Sequence, residues 1–104
     1  MATDLRQATE SEALRAMEIA GVLTEDWGLV EALVTGRAVA LHVARRAERR
    51  ILGELLPLAE RRSYVVDVQA GTAQHQGTAW DVMARSEREA KHYQRLLETA
   101  GLPA

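Results

Sequence analysis

The sequence has no cysteine and no phenylalanine, two prolines and four large aromatic residues. Without cysteine there is no disulfide, no thiolate zinc site and no thiol nucleophile. Self-association is then the common remaining route by which a small domain gains stability. No apolar run approaches the roughly 20 residues that a bilayer crossing needs, and the opening MATDLRQATESE is polar and acidic. Neither a membrane span nor a signal peptide is expected, and a cytoplasmic protein is.

What is present points first to helix. The 104 residues make one domain at most, of a size that buries only about 60 to 65% of the surface its unfolded chain exposes. Ala, Leu, Val, Arg and Glu dominate, a composition of long helices packed through small and aliphatic side chains. The net charge of −2 is unevenly spread. Residues 1–31 carry seven acids against Arg6 and Arg15, whereas residues 32–66 carry seven arginines against Glu48, Glu54 and Glu60. The start is acidic and the middle basic.

These patterns predict an all-α single oligomerisation domain over 1–104. A short N-terminal helix is expected within 1–21, starting near Asp4, with Ala13, Leu14, Met17 and Ala20 at helical spacing and Gly21 as its cap. A long helix is expected over 24–62, opened by Thr24 with Glu25 and Asp26 in its first turn and kinked or stopped near Pro57. Its near-heptad apolar positions make Trp27, Val30, Val34, Leu41, Ile51 and Leu55 the candidate oligomer interface. A small β or loop arm follows over 63–77, where Tyr64, Val66 and Val68 alternate with polar neighbours before Gly71 and Gly77. Thr78-x-x-Asp81 resembles a capping box that opens a last helix over 78–101, closed by Gly101 and Pro103. The two long helices would form an antiparallel helical hairpin around the arm.

Three constellations carry candidate chemistry. Arg45, Arg46, Arg49 and Arg50 would share one side of the long helix, and Arg85, Arg88 and Arg95 one side of the last; such basic faces neutralise phosphates without reading sequence. Their bland alternative is a solvated flank with intrahelical pairs such as Arg50 with Glu54. Glu89-x-x-His92 has the spacing of half a carboxylate-bridged di-iron site, which a homodimer would complete, with Glu48 as a further carboxylate. Arg85, with six residues between it and His92, loosely matches the spacing of a helical ribonuclease signature. No catalytic constellation and no phosphate loop stands out, so no enzyme activity, cofactor or resident metal is expected.

The order of segments carries a resemblance. Leu23, Thr24 and Asp26 at the start of the long helix, Tyr64, Val65, Val66 and Gly71 in the arm, and Gly101, Leu102 and Pro103 in the tail are together similar to the small-subunit terminases of tailed bacteriophages. Where that family has a Pro-Ala lead-in to its last helix, this chain has Gly77, Thr78 and Ala79. The resemblance implies a non-enzymatic DNA-packaging protein that forms a homo-oligomeric ring, binds double-stranded viral DNA and regulates a separate large terminase subunit in the cytoplasm of the infected host. Two alternatives stay open: a ferritin-like di-iron protein with Glu48, Glu89 and His92 at a dimer interface, and a structural or adaptor homo-oligomer.

Overall fold

A computed structural model describes residues 5–102. Asp4 as a helix start and Pro103 as a stop lie outside the described residues. The elements run β1 (Arg6–Gln7), α1 (Glu10–Ala20), β2 (Gly28–Thr35), β3 (Ala38–Ile51), β4 (Glu54–Asp67), β5 (Thr72–Val82) and α2 (Glu87–Thr99). The strands form one sheet in the order β1-β2-β3-β4-β5, an antiparallel meander. The expected all-α fold is therefore overturned. In particular, the helical hairpin is absent from the described residues: the segment assigned to a long helix, 24–62, holds β2, β3 and most of β4, while the last helix begins at Glu87 because residues 78–82 complete β5.

The physical reason lies in turns and alternation. Thr35 pairs with Ala38 across Gly36-Arg37, with Gly36 at φ 59°, a two-residue turn of the kind that opens with a left-handed residue. Leu52 (φ 49°) and Gly53 (φ 84°) both take positive φ, so β3 and β4 join through the mirror-image turn that matches strand twist. Between these turns burial has period two: Val39, Leu41 and Val43 are buried on β3, and Leu56, Leu58, Tyr64 and Val66 on β4. Helix propensities of Ala, Arg, Glu and Leu amount to tenths of a kcal/mol each, a weak preference that such packing overrides.

The two helices that do form are capped from the sequence. Thr9 and Glu12 make a reciprocal capping box: Thr9 N–H donates to Glu12 Oε1 at 2.9 Å and Glu12 N–H to Thr9 Oγ1 at 3.2 Å. Arg6 forks onto the same carboxylate at 2.8 Å through both terminal nitrogens, and these bonds lower the Glu12 pKa to about 2. Gly21 (φ 75°) ends α1, with Val22 N–H returning to Met17 O at 3.0 Å. At α2, Ser86 Oγ accepts from Glu89 N–H, and Leu102 N–H returns to Leu97 O across the left-handed Gly101.

The described residues divide into two compact units. The first takes residues up to Ala44 plus Arg62–Gly77; the second takes Arg45–Arg61 plus the residues from Thr78 on. In the first, Ala13, Ala16 and Met17 of α1 pack with Trp27 and the buried residues of β2, β3 and β4. In the second, Leu97 of α2 packs with Ile51, Leu56, Leu58 and Trp80. Within the second unit the core residues are odd-numbered on β3, Ala47 and Ile51, and even-numbered on β4, Leu56 and Leu58.

Candidate functional site

Strand geometry redistributes the four arginines that a helix would gather. Successive residues point to opposite faces of a sheet, so Arg45 and Arg49 turn to the core face of the second unit while Arg46 and Arg50 turn to the other. Arg45 binds the buried Glu60, with Nε and a terminal nitrogen each 2.9 Å from Glu60 Oε1. Arg49 lies over the Trp80 ring at 5.0 Å, a cation–π contact. Arg85 precedes the N-cap of α2, and Arg88 and Arg95 stand on α2 beside a groove that also takes in Glu54, Glu89 and His92. The seven arginines expected to bind DNA are thus split between both faces of β3 and the helix.

The Glu89-x-x-His92 pair has a different role in this fold. Glu89 is the third residue of α2, and its Oε1 accepts the Arg85 N–H at 3.1 Å, a capping bond. His92 Nε2 sits 3.0 Å from each carboxylate oxygen of Glu54, which begins β4. Glu48 lies on β3 and lines a separate cleft with Arg46, Pro57 and Met83. Among the described residues no group of three or more His, Asp or Glu side chains is placed to hold a metal ion. The di-iron alternative, which sets Glu48, Glu89 and His92 at a dimer interface, thus finds no three-ligand cluster among the described residues of a single chain.

Of the six residues expected at an oligomer interface, four serve the chain's own cores. Trp27, Val34 and Leu41 are buried in the first unit and Ile51 in the second. Val30 is exposed because it is the extra residue of a bulge, between the pairs Leu29 with Val43 and Glu31 with His42. Leu55 is 52% exposed on β4.

Leu55 marks the surface that merits a function. On the second unit, β4 directs Leu55, Pro57, Ala59 and Arg61 away from the core, and β3 directs Arg46, Glu48 and Arg50 to the same side. Met83 N–H donates to Pro57 O at 3.0 Å, which sets Met83 opposite Pro57 on that face, 37% exposed. Proline has no N–H to return, so this rung is half made and β5 ends at Val82. Arg61 is tied to Asp81, Nε to Oδ2, across to β5. The result is an apolar strip of Leu55, Pro57, Ala59 and Met83, flanked by Arg46, Arg50, Arg61 and Arg85 and by Glu48 and Asp81. Among the described residues of this unit no helix covers it, since α2 packs on the opposite face. The strip is hidden in the sequence because Pro57 reads as a helix breaker; the signal that reveals it is the alternation Leu56, Leu58, Glu60 against Leu55, Pro57, Ala59.

Comparison with protein-family models, with curated proteins and with solved structures returns no match. No helix among the described residues is long and apolar enough to cross a membrane.

Proposed function

We propose that this protein is a non-catalytic adaptor that self-associates through the open face of its second unit. The observation that supports the reading is the placement of Leu55 and Met83, both exposed, on one sheet face that has no covering element among the described residues of its own unit. Apolar side chains at the centre with charged groups at the margin is the anatomy of a protein interface. The margin carries both signs, Arg46, Arg50 and Arg85 beside Glu48 and Asp81, so a two-fold arrangement can set arginines of one copy against carboxylates of the other. A long nucleic acid would meet the carboxylates as well as the arginines, and this face has no aromatic side chain on which a base stacks. The DNA-packaging reading loses its rod, because 24–62 is strand and turn.

The test is the native mass of the full chain at micromolar concentration. The wild type is expected to be dimeric, and the Leu55→Asp, Met83→Asp double variant monomeric with an unchanged circular dichroism spectrum, because both side chains lie outside the cores. A wild type that stays monomeric at about 100 μM, an affinity too weak for an interface of standard size, sinks the proposal.

A further inference from the structure

The first unit holds a cleft of a different chemical character. It has a volume of about 350 Å³ and opens between the start of α1, the Gly36-Arg37 turn and the β4–β5 loop. Its floor is Val34 and Val39, both buried, with the half-buried Val68 beside them. Arg6, Arg15 and Arg37 stand at its mouth. Among the described residues the first unit carries four cations, those three and Arg62, against seven carboxylates, a net charge of −3. Three of the four cations of an acidic unit therefore converge on one apolar-floored opening. The fourth, Arg62, lies over the Trp27 ring at 4.7 Å.

These guanidinium groups are oriented by their partners. Arg37 Nε is 3.3 Å from Asp67 Oδ2, and a terminal nitrogen donates to Gln69 Oε1 at 3.2 Å. Arg15 meets Glu18 at 2.7 Å through one terminal nitrogen. A guanidinium has five N–H groups in a planar fork, so among the described residues both arginines keep donors beyond those these pairs engage. Glu12 is the carboxylate that lines the cleft, and both its oxygens are already taken by Arg6. Arg6, Arg15 and Arg37 are each matched by one carboxylate, Glu12, Glu18 and Asp67, so an incoming anion meets their remaining N–H donors rather than a net positive charge.

The geometry points to a binding site for a small organic carboxylate with an apolar body. A purely inorganic anion would leave the valine floor in water, and a purely apolar molecule would leave the spare N–H donors of Arg15 and Arg37 unused. The volume falls at the small end of the range of about 300 to 1,000 Å³ typical of small-molecule sites, which suits a short-chain or single-ring acid. The carboxylate would lie between Arg15 and Arg37 with the body on Val34, Val39 and Val68. This site is independent of the self-association face, whose residues all belong to the second unit.

Octanoate, below its micelle concentration, is a direct probe, followed by the methyl resonances of Val34, Val39 and Val68 in the full-length protein. Saturable shifts of those methyls are expected. Arg15→Gln and Arg37→Gln, both at exposed side chains, should each weaken binding about tenfold, as expected for one lost charge-assisted bond. Octanol, with the same body and no charge, should bind at least as weakly as either variant binds octanoate. An absence of saturable shifts at millimolar octanoate, equal binding of octanol and octanoate, or full retention of affinity in both variants would each overturn the assignment. Inorganic sulfate displacing octanoate at equal concentration would reduce the site to a plain anion contact and overturn it as well.

Discussion

Arg45 and Glu60 show how a single residue's role follows from its face. Glu60 is 4% exposed on the core side of β4, and a carboxylate taken out of water requires a partner held in place. Arg45 supplies it while 37% of its own side chain stays in solvent. Arg45→Met should therefore destabilise the fold by about 3 kcal/mol, the low end of the range for breaking a buried pair, since water still reaches the site. Urea denaturation measures this, and Arg45→Met with Glu60→Leu together should recover most of the loss. A neutral single variant would show that Glu60 does not depend on Arg45. The same scale explains Glu89 and His92. Their spacing was legible in the sequence, but spacing does not say which neighbours a side chain meets: Glu89 caps its own helix and His92 faces Glu54.

At the scale of elements, the β3–β4 hairpin is the decisive feature, and its turn carries a local cost. Leu52 is the one non-glycine residue with positive φ among the described residues, and its side chain is exposed. A left-handed conformation costs a branched L-residue about 1 to 2 kcal/mol, while asparagine adopts it readily and Asn-Gly is the favoured pair for this turn. Leu52→Asn is expected to raise stability by about 1 kcal/mol, read as a higher melting temperature. A drop would mean that Leu52 packs against something this fold does not describe. Leu-Gly is a poor advertisement for a hairpin, which is why the segment reads as helix from sequence. Thr9-x-x-Glu12 and Ser86-x-x-Glu89 open the two real helices, whereas the box expected at Thr78-x-x-Asp81 lies within β5; Gly21 and Gly101 mark the helix ends as expected.

At the scale of the whole molecule, charge is divided between the units. The described residues give the first unit a net −3 and the second +2, from nine cations and seven carboxylates. If the second unit self-associates through an apolar strip with a mixed-sign margin, salt should weaken the dimer only modestly. Raising sodium chloride from about 0.05 to 0.5 M screens the exposed margin pairs, so the dissociation constant should rise several-fold, as measured by sedimentation. A loss of two orders of magnitude or more would indicate that charge, not Leu55 and Met83, holds the copies together. The sequence by itself determined the absence of cysteine chemistry, the segregation of acidic and basic segments, the left-handed glycines that end both helices and the glycine turn at Gly71. Only the tertiary structure decided that 24–62 is a strand-rich segment, that Arg45 and Arg46 face opposite ways, and that Leu55 is exposed while Ile51 is buried. The reason is that Ala-, Arg- and Glu-rich segments satisfy either period with little energetic difference locally. The choice is made by which face finds a partner to bury, and those partners, Met17 in the core that holds Leu41 and Leu97 in the core that holds Leu56, lie far away along the chain.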